Sequence, residues 1–179
     1  MTVLGLDLGH PTVREAEHWL AELPAVLGHP AGLVACTHLV HGSRGRVVLS
    51  VAADVPIDVS ALPARPDGPE PDGTDGAALT AAAEHAARRA GRAVHYPGVE
   101  TLVGTVTVAD LLATSAIERV VVLGTPGVSP DPGTLVDTRD FVRPQWTDGR
   151  LTLVATPAPD GRIAPFEVPN PTPCCAAHQ

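Results

Sequence analysis

Two apolar, β-branched segments, GLVACTHLV (32–40) and GRVVLSVAADV (45–55), are separated only by the short polar stretch HGSRG (41–45). A connection this short cannot hold the crossover of about a dozen residues that parallel neighbours require, so the two segments form a hairpin. The other end of the chain repeats the pattern: TLVDTRDFVR (134–143), RLTLVAT (150–156) and IAPFEV (163–168) are punctuated by the turn sequences TDG and PDG, which predicts an antiparallel meander. Between the two lies RVVVLG (119–124), an apolar run that reads as a buried central strand.

Three helices are expected among these strands. PTVREAEHWLAELPAVL (11–27) has Val13, Ala16, Leu20 and Leu23 at helical spacing and acidic residues near its positive end, with Pro11 suited to the first turn and Pro24 expected to end or kink it. GAALTAAAEHAARRAG (76–91) is alanine-rich, closes on basic residues and stops at Gly91 as a C′ glycine. In TVADLLATSAIERV, Thr107 and Asp110 form a capping-box pattern that opens a helix through about Ser115. Strands and helices do not alternate strictly, so the expected class is α+β. At 179 residues the expectation is one domain, 1–179: a mixed or mostly antiparallel sheet with about three helices packed on it and hairpins at both ends. A Pro-, Gly- and Asp-rich loop interrupts it at about 56–76, and a Cys-Cys-containing tail closes it at 169–179.

The net charge of −8 argues against nucleic-acid binding, which rests on clustered positive charge. The chain has no lysine, which rules out Schiff-base chemistry and a Walker A loop. No run of apolar residues reaches the length of a membrane span, and the first residues lack the basic and apolar blocks of a secretory signal, so the expected compartment is the cytoplasm. There the three cysteines stay reduced.

The chemistry-bearing pattern is made by cysteine and histidine. Eight histidines are present, and two of them fall close to a cysteine in ACTHLVHG, giving Cys36, His38 and His41. On a strand, Cys36 and His38 share a face, the spacing at which two ligands can serve one metal; His41 falls at the strand's end. The tail PTPCCAAHQ adds Cys174, Cys175 and His178. Combining both sets yields a Cys3His or Cys2His2 shell suited to zinc or, with more thiolate, to copper(I) or another soft ion. With a water in the fourth position such a site supports hydrolysis, Glu100, Asp137 or Asp140 serving as base. Whether its use is structural, sensing or hydrolytic stays open.

Two alternatives accompany this reading. Cys174 and Cys175 form a vicinal pair suited to thiol redox or soft-metal capture; in that dipeptide the tail resembles the metal-handing tail of mercuric reductases, a resemblance that implies no activity because that family's flavin and dinucleotide domains have no counterpart here. The glycines of GTPGVSPDPG (124–133) follow a strand and suggest a small-molecule pocket, with Arg139 and Arg143 as contacts for an anion and Trp146 as a wall. Two further motifs are set aside. LGLDLGHPT resembles the first phosphate loop of the actin-like ATPases, but a helix follows it directly and no second phosphate motif appears. No G-x-S-x-G elbow marks a serine hydrolase.

Overall fold

The computed structural model describes residues 2–40, 46–63, 74–125 and 127–169. Along them the chain forms β1 (Thr2–His10), α1 (Val13–Val26), β2 (Val34–Val40), β3 (Arg46–Ala53), α2 (Thr74–Ala86), β4 (Arg92–His95), β5 (Thr105–Thr107), α3 (Val108–Thr114), β6 (Arg119–Val122), β7 (Leu135–Asp137), β8 (Gln145–Thr147), β9 (Arg150–Pro157) and β10 (Ile163–Pro165). The strands make one mixed sheet in the order β1-β3-β2-β4-β8-β9-β10-β7-β5, with β6 branching from β9. Among the described residues, only β6 with β9 and β7 with β10 run parallel. The architecture is α+β, with the expected hairpin at β2 and β3; of the expected meander, β9 and β10 pair antiparallel, but its first strand, β7, pairs β5 and runs parallel to β10, and β8 takes its place beside β9.

Alternation along β2 and β3 divides two environments. Ala35, Val47, Leu49 and Val51 face α1, where Trp19, Leu20 and Leu23 close an apolar core. Cys36, Val48 and Ser50 point to the opposite face, which α2 covers. A row of directly paired residues, Gly5, Ser50, Cys36 and Ala93, crosses β1, β3, β2 and β4. Its small side chains admit the helix closely: a Cβ on Gly5 would lie 1.9 Å from the carbonyl oxygen of Ala78 on α2. A second core gathers Leu111, Ile117, Val120, Leu151 and Leu153 around β9.

Four local expectations change. Pro24 lies inside α1, which runs on to Val26; so near the C-terminus proline removes a single ladder bond, and the amides of Leu27, Gly28 and His29 close the turn onto Leu23, Ala25 and Pro24. Helix α2 stops at Ala86 instead of reaching Gly91. Arg88 adopts the left-handed conformation (φ 53°), and the bonds Arg89 N to Glu84 O and Arg88 N to His85 O complete a Schellman closure. The backbone cost of a non-glycine residue there is offset by its side chain, which lies 4.9 Å over the Trp146 ring and bonds Glu118 at 3.2 Å. RVVVLG forms β6, which pairs β9 alone and so branches off the sheet instead of lying at its centre. The strand expected over 134–143 ends at Asp137, because Arg139 and Asp140 both take positive φ while Thr138 and Asp140 bond the backbone of Gly104.

Thr107 caps α3 as its sequence predicts, accepting from the Asp110 amide at 3.0 Å. The aspartate of LGLDLGHPT is structural: Asp7 accepts from the Gly9 amide and pairs with Arg46 at 2.9 Å, at a register shift in β1. Of the loop expected at 56–76, residues 64–73 lie outside the described residues, and α2 has begun by Thr74.

Candidate functional site

The face of β2 that carries Cys36 and His38 meets α2 through a polar cluster enclosed in apolar surroundings. Ser50 stands opposite Cys36 on β3, and His85 is on α2, on the same helix face as Ala78 and Ala81. Ser50 Oγ lies 2.8 Å from His38 Nε2 and 2.8 Å from His85 Nδ1. A hydroxyl has one proton, so Ser50 donates to one ring and accepts from the other, which sets the tautomers of the two imidazoles in concert. Burial lowers both histidines to about 4; at His85 the charges of His38 and Arg88 add to the effect. Both rings are therefore neutral near pH 7.

Cys36 shares this face with His38, as alternation predicts, and is wholly enclosed. Burial pushes its thiol up to about 12, outweighing the Ser50 contact and an approach by the Trp146 indole N–H that falls short of good hydrogen-bond geometry. At neutral pH it is a protonated thiol, behaving as a small hydrophobe. Gly91 explains the tight packing around it. A Cβ there would meet His38 Cε1 at 3.0 Å and the Cys36 Cβ at 3.1 Å, so the glycine read as a helix stop is instead the floor under these two side chains.

His38 is itself buried, with a side chain 7% exposed, and its Nδ1 faces Oε2 of the more exposed Glu84 at 3.9 Å. Ser50, His38 and Glu84 follow the order of a nucleophile, a base and an orienting carboxylate, but the 3.9 Å gap between His38 and Glu84 is not a hydrogen bond and the relay is not connected. Ser50 also has no exposed surface, so a substrate carbonyl cannot reach its oxygen while α2 is in place. Among the described residues, no group of three or more His, Cys, Asp or Glu is disposed to hold a metal ion.

His41, Cys174, Cys175 and His178 lie outside the described residues. The described chain leading to the tail is fastened near β2: Glu167 bonds Arg92 Nε at 2.5 Å, and Arg92 pairs across the sheet with Thr37, between Cys36 and His38. Asp137 and Asp140 hold the turn after β7, accepting from Arg139 N and Gly104 N, toward the opposite end of the sheet from β2. Glu100 lies exposed on a short 3₁₀ turn, Val99–Thr101.

Of the groups expected to form an anion pocket, Arg143 and Trp146 are engaged elsewhere, and the helix that follows the 124–133 loop has no free leading amides. Carbonyls of Pro132 and Thr134 accept from the amides of Ala109 and Val108, and Thr107 accepts from Asp110, so the first three amides of α3 are occupied. Arg143 bonds Glu17 at 3.2 Å and stacks 4.2 Å from the Phe141 ring centre, and Trp146 is buried beneath Arg88. An apolar depression of about 250 Å³ lies instead between the end of α1 and residues 53–61, lined by Val26, Leu27, Pro30, Val55 and Ile57.

Ser50, Glu84 and His85 are absent from the sequence-derived candidates. Ser50 is a lone polar residue in the apolar run VVLSVAA, and His85 a lone polar residue on an alanine face; each signals a buried polar contact without saying to what. The chain matches no family model, no curated protein and no solved structure. No helix among the described residues is long and apolar enough to cross a membrane.

Proposed function

We propose that this chain binds a metal ion, zinc or another soft ion, through His38 of β2 together with Cys174, Cys175 and His178 of the C-terminal tail. The observation that supports it is the clamped imidazole of His38. Its Nε2 is held 2.8 Å from Ser50, which is in turn held by His85, and metal-binding histidines are oriented in this way by a hydrogen bond to the ring nitrogen that does not bind. Cys36 stays a protonated core thiol in this reading, because ionising it would place an unpaired charge in the interior.

Chain geometry is compatible with the tail's role. Glu167 is tied to Arg92 beside β2, and the ten residues that follow 169 span up to roughly 33 Å when extended. The test is metal analysis of protein purified without a histidine tag, before and after reconstitution with zinc in reductant. One equivalent per chain is expected, and a stoichiometry near zero after reconstitution overturns the proposal. Serine at both 174 and 175 should reduce the retained metal.

A further inference from the structure

The described part of the chain offers a second donor beside His38, and it lies outside the Cys and His set. With Nε2 of His38 committed to Ser50 at 2.8 Å, Nδ1 is the nitrogen left to face Glu84 Oε2, 3.9 Å away at the partly exposed edge of α2. That separation is too long for a hydrogen bond. Two donors on one tetrahedral zinc, each about 2.0–2.2 Å from it, lie roughly 3.4 Å apart, so closing by about half an ångström brings the pair to ligand spacing. Glu84 has the freedom to close, since its side chain is 39% exposed on the surface of α2.

We infer that His38 Nδ1 and the Glu84 carboxylate form a two-donor half-site for a divalent, zinc-class ion at the solvent edge of α2. The inference rests on the metal-binding reading above and adds Glu84 to its ligands. Adjacent residues of α2 then act on both sides of one ring: Glu84 stands at Nδ1, and His85 reaches Nε2 through Ser50. Of the two polarities open to the hydrogen-bond chain, the one in which His38 Nε2–H donates to Ser50 Oγ and Ser50 Oγ–H donates to His85 Nδ1 leaves the lone pair of His38 Nδ1 for the ion, and the proposed half-site requires that one. A carboxylate donor also narrows the choice of metal, favouring zinc over copper(I), which selects soft thiolate and thioether shells.

The experiment is a zinc titration of the full-length, untagged chain against a chromophoric chelator in reductant, comparing wild type, E84Q and a C174S/C175S/H178A variant. E84Q changes a partly exposed helix position and keeps its shape, so it tests the donor without testing the fold. A loss of at least tenfold in zinc affinity is expected for E84Q. Equal affinity in E84Q and wild type, with the tail variant impaired, overturns the half-site while leaving the tail-based reading intact. An impaired E84Q beside an unimpaired tail variant supports the half-site and removes the tail from the site. Absence of zinc binding by the wild type overturns both.

Discussion

Ser50 has one proton to give, and two neutral imidazoles turn a nitrogen toward it. Removing the hydroxyl therefore does more than lose two hydrogen bonds: it leaves His38 Nε2 and His85 Nδ1 facing an apolar gap in a region closed to water. Unpaired buried polar groups cost about 1–3 kcal/mol each, so S50A should lose about 2–4 kcal/mol of stability, measured as a lowered urea midpoint at unchanged slope. A loss below about 0.5 kcal/mol would show that the rings find other partners and that the cluster does not depend on Ser50. The strand pattern around Cys36 and His38 was legible in the sequence because period-2 alternation is a local property. The partners of His38 were not, since Ser50 lies 12 residues from His38 and His85 a further 35 from Ser50, separations at which only the packing of α2 on the sheet creates the contact.

Helix α2 can lie over these residues because the row beneath it is small. Gly5 supplies the closest approach, and its backbone does not take a positive φ, so space alone requires glycine there. G5A would drive a methyl group into the Ala78 carbonyl, 1.9 Å from the ideal Cβ position, which neither backbone can accommodate without moving apart. The expected cost is about 3 kcal/mol or more, toward the upper end of overpacking penalties, with a lowered thermal midpoint and loosened protection of the α2 amides in hydrogen exchange. An unchanged midpoint would mean that α2 is not seated on β1 as described. Elements whose signals are local were readable: the hairpin of β2 and β3, the Thr107 cap of α3, and the Asp148–Gly149 turn, where both residues take positive φ. β1 was hidden by its glycines, which weaken a strand pattern and invited comparison with a phosphate loop. The end of α2 was misplaced because Arg88 takes the position glycine usually fills, held by contacts to Trp146 and Glu118 that come from distant segments.

Across the whole molecule, a network of charges joins α1, β4 and the C-terminal end of the described chain, beside the core in which Val94 of β4 already packs with α1. Glu17 of α1 pairs with Arg92 of β4 at 2.5 Å and with Arg143 at 3.2 Å, while Arg92 also holds Glu167 near the end of the described chain. Burial pushes the Glu17 carboxyl upward, but Arg143 and Arg92 together outweigh it and leave the group below its ordinary value. A carboxylate whose folded pKa is depressed contributes stability above its unfolded pKa of about 4.3, and that contribution disappears as pH falls through the folded value. E17Q keeps the shape and removes the charge, so it should be less stable than wild type by about 1–3 kcal/mol near pH 7, a range discounted for partial solvent screening. Thermal or urea unfolding of both proteins should then show the gap closing as the pH falls from the unfolded pKa through the lower folded one, where the wild-type carboxylate becomes protonated as well. The buried imidazole of His10, which burial depresses, adds its own loss of stability on acidification, but it is present in both proteins and drops out of the difference. A gap that stays constant from neutral to acidic pH would assign the effect of E17Q to packing instead of charge. The apolar contact of Val94 with α1 would then carry the joint between α1 and β4, and the anchoring of Glu167 beside β2 would rest on its contacts with Arg92 and Gln145 alone.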